Sequence, residues 1–152
     1  MRILMVCLGN ICRSPLAQGI MEKMIVFNQL DWTVDSAGTS GWHKGEQADR
    51  RSIAVAEAHG INISRQRSRQ FVKKDFEEFD LILAMDSSNY HNILKLAQTD
   101  EDKEKVHLIL NYSFPGENRA VPDPYYEGGF ESVYSMLEDA LEVLVRAGKS
   151  SR

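Results

Sequence analysis

Cys7 and Arg13 stand six positions apart, with Ser14 next, in the stretch Cys7-Leu8-Gly9-Asn10-Ile11-Cys12-Arg13-Ser14-Pro15. The apolar run Ile3-Leu4-Met5-Val6 before it reads as a buried strand, and a segment of helical periodicity follows it. A strand that turns through a short loop into a helix gathers several backbone N–H groups at one point, backed by the positive end of the helix dipole. That is an anion cradle suited to phosphate. A thiol among such N–H groups and a guanidinium is favoured as thiolate, which makes Cys7 the candidate nucleophile. Arg13 can hold two phosphoryl oxygens in a planar fork, which a lysine could not do. Gly9 lets the backbone approach a ligand closely, and Asn10 tolerates a left-handed conformation and can lock the loop through its amide. Ser14, at the helix start, can donate to the Cys7 sulfur. The plain alternative is a buried structural cysteine ahead of an ordinary helix N-terminus. The spacing and the strand-to-helix setting together weigh against it.

A second chemical stretch is Val121-Pro122-Asp123-Pro124-Tyr125-Tyr126. Prolines on both sides of Asp123 stiffen the backbone and bias it to extended geometry. A carboxylate on a rigid, partly apolar loop makes a good general acid, because burial favours its protonated form. An isolated Asp-Pro reads first as a turn. Beside a Cys–Arg phosphate loop, that order reverses.

Val6 to Pro15 resembles the phosphate loop of the low-molecular-weight protein tyrosine phosphatases, and the likeness runs along almost the whole chain. Ser36-Ala37-Gly38-Thr39 is similar to a family segment whose serine supports the loop asparagine, a role that falls to Ser36. From the residues alone, Trp42 is equally a core side chain and a recognition wall. The resemblance of Gly41-Trp42-His43 to a loop at the active-site mouth favours the wall. In the arginine-bearing segment 60–70, Gln66 stands where the family often carries a histidine that braces the loop asparagine. An amide can donate the same hydrogen bond but cannot take a charge. Asp86-Ser87-Ser88-Asn89 resembles the segment after the family's third strand, and Asp123-Pro124-Tyr125-Tyr126 resembles its acid loop residue for residue.

The resemblance implies hydrolysis of phosphotyrosine monoesters through a phosphocysteine, with no metal and no cofactor. Cys7 would be the nucleophile, Arg13 the clamp, Asp123 the general acid and base, and Ser14 the support for the departing thiolate. Leu8, Gly9, Asn10, Ile11, Cys12, Trp42, Tyr125 and Tyr126 would contact substrate, with Ser36 and Gln66 supporting the loop. Phosphotyrosine-containing proteins are the implied partners. Cys12 is close enough in sequence to resolve an oxidised Cys7 as a disulfide. Arsenate reductases share the fold, but their relay needs further cysteines, and this chain has only two. Protein-arginine phosphatases tend to carry threonine where Ile11 stands. A binding module without turnover would be expected to have lost Cys7, Arg13 or Asp123.

These residues need a scaffold. Helical patterning covers 15–28, with Leu16, Ile20, Met24 and Phe27 on one face, and a strand follows at 32–37. The glycine-rich stretch 38–48 reads as a loop. The next helix covers 49–59, with Asp49 as N-cap and Gly60 as stop. A helical turn at 76–79 leads to a strand at 81–84, then a helix from Asp86 or Ser87 to about 96. The charged run 99–105 reads as a solvated connection, and 106–110 as the fourth strand. A last helix spans 130–147 with Phe130, Val133, Tyr134, Leu137, Leu141 and Leu144 inward, ended by Gly148 and followed by a disordered tail at 149–152. Strands alternating with helices give an α/β fold, an open parallel sheet covered on both faces with the phosphate loop after its first strand. The family likeness implies strand order 2-1-3-4.

The 152 residues suit a single domain, and 43% hydrophobic with 26% charged residues is ordinary for a globular chain. A net charge of −4 argues against general nucleic-acid binding. No apolar run reaches membrane-spanning or signal-peptide length, so the expectation is a cytoplasmic protein without membrane insertion. A monomer is expected, with weak self-association left open. Two cysteines in one loop make no disulfide framework, and His43, His59, His91 and His107 lack ligand spacing, so no metal is assigned.

Overall fold

The computed structural model describes residues 1–150, the side chain of Ser150 excepted. Four parallel strands, β1 (Arg2–Cys7), β2 (Thr33–Gly38), β3 (Leu81–Ala84) and β4 (Val106–Leu108), form a sheet in the order 2-1-3-4. β1 lies between β2 and β3, and both of its faces are covered. Ile3 and Met5 pack with Leu16, Ile20, Leu137 and Leu141 from α1 (Arg13–Phe27) and α7 (Phe130–Ser150). Leu4 and Val6 pack on the other side with Phe71, Phe76 and Ile93. This is why the first strand reads as an unbroken apolar run and not as an alternating one. Cys7 pairs with Gly38 at the end of β2, so the loop after β1 opens at the carboxyl edge of the sheet.

The remaining helices are α2 (Arg50–Ala58), α3 (Asp75–Glu78), α4 (Ser87–Leu94), α5 (Asp100–Glu104) and α6 (Pro124–Glu127). Side chains cap α2 and α4 as expected: Asp49 accepts from Arg51 N, and Asp86 accepts from Asn89 N. The charged run is more ordered than expected. Thr99 caps it by accepting from Asp102 N, and three acidic residues in its first turn suit the helix dipole, so α5 forms while staying solvated.

The fourth strand is shorter than expected. β3 stops at Ala84, opposite Leu108, so nothing pairs with the chain beyond it. Ile109–Asn111 instead forms a 3-10 turn that buries Ile109 and Leu110 in the cluster shared with α7. Phe27 does not face inward. It ends α1, is exposed, and stands between two surface grooves.

The last helix passes through Gly148 and includes 149–150 rather than ending there; the rest of the expected tail, 151–152, lies outside the described residues. Gly148 is small for packing, not for termination. A Cβ there would lie 2.4 Å from two atoms of the Trp32 ring.

Candidate active site

The loop joining β1 to α1 is held from outside by its carbonyls. Cys7 O accepts from Thr39 N, Leu8 O from Ser40 N and Ser40 Oγ, and Gly9 O from Ser68 Oγ. Ile11 O accepts from Asp49 N, and Cys12 O from Ser52 Oγ and Leu16 N. No amide of residues 8–13 donates to another protein group among the described residues. A loop most of whose carbonyls are engaged outward and whose amides are free, at a helix N-terminus, is an anion cradle. Asn10 takes φ 57°, a left-handed conformation that asparagine tolerates. Gly38 supports the loop from β2 at very close range. A Cβ there would lie 2.7 Å from Leu8 O, so any other residue would push the loop away.

Cys7 is buried at the floor, with Ser14 Oγ 3.0 Å from its sulfur. Asn10 Nδ2 donates to Ser14 Oγ (2.8 Å) and to Ser36 Oγ (3.0 Å). Ser14 Oγ therefore serves as acceptor toward Asn10, which leaves its single O–H for the sulfur. Ser36 in turn donates to Gln18 Oε1 (2.6 Å). Cys12 is the other thiol in the loop, and both are free. Burial, then the negative charges of Asp49, Cys7 and Asp123, push its pKa up to about 12. Cys12 thus stays a thiol at neutral pH and is no rival nucleophile.

The Arg13 guanidinium is buried, yet it is not alone. Nη1 donates to Asp86 Oδ2 (2.8 Å) and to Val121 O (2.9 Å), while Nη2 lies 3.6 Å from Asp123 Oδ2. Removing a partner from a buried charge of this kind costs about 3–5 kcal/mol, so Asp86 fixes the clamp. Asp123 precedes α6 as its N-cap: Oδ1 accepts from Tyr125 N (3.1 Å), and Pro124 occupies the first turn, where its missing N–H is harmless. Asp123 itself is extended, as its prolines suggest (φ −82°, ψ 113°), and the chain enters α6 directly after it.

One cleft of about 400 Å³, its open mouth included, is lined by Cys7, Leu8, Gly9, Ile11, Cys12 and Arg13 below, with Trp42, His43, Asp123, Tyr125 and Tyr126 around the rim. An anion cradle below an aromatic rim suits a phosphorylated aryl group. Trp42 and Tyr126 are largely exposed, so they form a rim and not a core. Arg51 ties the rim down. It donates to Tyr125 O (2.9 Å) and lies over the Phe130 ring, 4.6 Å from its centre.

Gln66 does not brace Asn10. Its Nε2 donates to Pro15 O (3.1 Å), and its Oε1 is buried with no partner among the described residues. The place is already taken, because Asn10 Oδ1 accepts from the backbone amide of Arg69 (3.0 Å) and both Nδ2 protons are used. Reading the sequence also missed Gln18, Ser68, Arg69 and the role of Asp86 as partner of Arg13. Only Asp86 left a signal: a carboxylate at the carboxyl end of a strand expected beside the first one.

Among the described residues, no group of three or more His, Cys, Asp and Glu is arranged to hold a metal ion, and no helix is long and apolar enough to cross a membrane.

Comparison with known proteins identifies the family. The family described as low molecular weight phosphotyrosine protein phosphatase matches residues 2–151. A relative from Synechocystis sp., itself named for this family, is 47% identical and covers 98% of each chain. The crystal structure of a protein tyrosine phosphatase from Entamoeba histolytica superposes with a TM-score of 0.92 at 40% identity, over 99% of this chain and 98% of that one. A Drosophila arginine phosphatase superposes equally well, with a TM-score of 0.92 at 33% identity over 100% of both chains. With a family match across nearly its full length, this chain belongs to the low molecular weight phosphotyrosine protein phosphatases.

Proposed function

We propose that this chain is a protein tyrosine phosphatase acting as a single domain on phosphotyrosine-containing proteins in the cytoplasm. One arrangement carries the reading. A buried thiol, a ring of free amides and a buried guanidinium share a cleft with one half-exposed carboxylate and an aromatic rim. In the first step Cys7 thiolate attacks phosphorus in line, and the bond to the tyrosine oxygen breaks as the S–P bond forms. Arg13 and the loop amides hold the three equatorial oxygens. Asp123 gives its proton to the leaving oxygen through Oδ2, since Oδ1 is engaged at the helix cap. In the second step water attacks phosphorus and passes a proton to Asp123. The S–P bond breaks, and Cys7 leaves as a thiolate that receives the Ser14 hydrogen bond, releasing inorganic phosphate.

Likeness to an arginine phosphatase supports a second reading, dephosphorylation of phosphoarginine. Ile11 favours tyrosine, because it places an apolar side chain at the cleft floor where the guanidinium substrate would gain from a hydroxyl. Turnover of phosphotyrosine, phosphoserine and phosphoarginine peptides, with and without chelator, separates the readings. Phosphotyrosine should be hydrolysed fastest, with chelator making no difference, and an acid-quenched phosphoenzyme should map to Cys7. Preference for phosphoarginine would replace the proposal, and label on any other residue would end the phosphocysteine scheme.

A further inference from the structure

We propose that Arg69 is a positioning residue for the nucleophile, setting the direction of the hydrogen bond that Ser14 gives to Cys7. The proposal rests on the phosphocysteine reading above for its kinetic consequence, and on the geometry alone for its effect on the thiol.

The segment at 68–71 lies against the phosphate loop. Gly38 N donates to Arg69 O (2.9 Å) and Phe71 N donates to Gly38 O (2.7 Å), so the segment lies alongside the end of β2. The Arg69 side chain anchors it. Nη1 and Nη2 form a two-point bond with Asp75 (3.1 and 3.0 Å), and Nη2 and Nε reach Asp35 Oδ2 (3.2 and 3.3 Å). Asp75 is buried on α3 and also accepts from Val72 N (2.9 Å), whereas Asp35 belongs to β2. One guanidinium thereby ties a helix and a strand to the backbone that faces Asn10. A planar fork can do this, and a lysine reproduces only part of it.

The consequence is one of hydrogen-bond polarity. A carboxamide can turn over and exchange its donor and acceptor ends. With the Arg69 amide donating to Asn10 Oδ1 (3.0 Å), Nδ2 must face Ser14 Oγ and Ser36 Oγ. Ser14 then accepts from Asn10 and directs its O–H to the Cys7 sulfur at 3.0 Å. If Asn10 turned over, its oxygen would claim the Ser14 proton, and the sulfur would lose its donor. Arg69 never touches the substrate cleft, but it decides which way this relay runs.

The test compares Arg69→Ala, Arg69→Lys and the surface control Arg65→Ala in the full chain. The readouts are steady-state kinetics on an aryl phosphate and the pH midpoint of Cys7 alkylation by iodoacetamide. The other titratable groups lining the cleft are Cys12, Arg13, His43, Asp123, Tyr125 and Tyr126, with Asp86 behind Arg13, and the substitutions leave all of them unchanged. Arg69→Ala should raise the alkylation midpoint and lower kcat about tenfold, with KM changing far less, because one hydrogen bond to a charged sulfur is lost. Arg69→Lys should recover part of both effects, and Arg65→Ala should behave as wild type. If Arg69→Ala does not fold, Asp35→Asn supplies a milder version of the same loosening. Lower thermal stability with an unchanged alkylation profile would overturn the proposal and leave Arg69 a structural tie. If wild type hydrolyses no phosphate ester, the proposed function falls, yet the alkylation profile still tests Arg69.

Discussion

Replacing Asp123 by asparagine separates acid catalysis from loop support. Asp123 makes two contacts beyond its proposed chemistry: it caps α6 by accepting from Tyr125 N, and it lies 3.6 Å from Arg13. Asparagine caps a helix about as well as aspartate, so Asp123→Asn keeps the first contact, whose loss would cost about 1 kcal/mol. The second contact is solvent-screened, with the Asp123 side chain 38% exposed, and is worth less than about 1 kcal/mol. Together the structural losses stay below about tenfold in rate. A lost general acid costs about 10²–10⁴, or roughly 3–5 kcal/mol of barrier. The chemical effect therefore exceeds the structural one by at least an order of magnitude, provided that the leaving group needs a proton. Tyrosine leaves as a phenolate of pKa about 10, so Asp123→Asn should slow phosphotyrosine at least about a hundredfold. An aryl phosphate with a strongly acidic phenol should lose less than about tenfold in its first step. Burst kinetics must isolate that step, because the second also uses Asp123 as base. Equal first-step losses for both substrates would refute the assignment. Asp86 offers little as a substitute acid, since both its oxygens are engaged, by Arg13 and by Asn89 N.

If Trp42 and Tyr125 select the aryl group, Trp42→Ala or Tyr125→Ala should weaken aryl substrates more than small alkyl phosphates; equal losses in kcat/KM would reduce both to loop supports. Peroxide should inactivate wild type in a thiol-reversible way and Cys12→Ser irreversibly, and disulfide formation should be slow because Cys12, at about 12, is rarely a thiolate. Gly148→Ala should lower stability by about 1 kcal/mol, since overpacking against Trp32 costs about 1–3 kcal/mol and the helix gains about 1. In a Trp32→Ala background the same change should stabilise, as denaturant midpoints would reveal. The Arg51 hydrogen bond holds the Asp49 carboxyl below its ordinary value, so its contribution is complete above the unfolded pKa of about 3.9 and lost as pH falls through the lower folded value. Acid unfolding should therefore be less steep in Asp49→Asn, which keeps the helix cap but cannot titrate.

The anion cradle was legible in the sequence because most of its residues are nearly contiguous. Cys7, Asn10, Arg13 and Ser14 share one loop, and a phosphate cradle is a local product of a strand turning into a helix. The buried strands were legible for a similar reason, since covering both faces of a parallel sheet leaves an unbroken apolar run such as residues 3–6. Strand ends and helix ends were less so. β4 stops where β3 no longer offers a partner, and α7 passes Gly148 because a ring from another segment needs the space. The assignment of partners was legible least of all. Arg13 meets Asp86 across 73 positions, and Asn10 takes its donor from Arg69 across 59 while Gln66 turns to Pro15. An amide or a guanidinium has several equivalent ways to be satisfied, and its own sequence does not rank them. The docking of distant backbone decides which donors arrive first, so the residue types on the loop describe an anion cradle beside a thiol, while the direction of each hydrogen bond around Cys7 belongs to the tertiary structure.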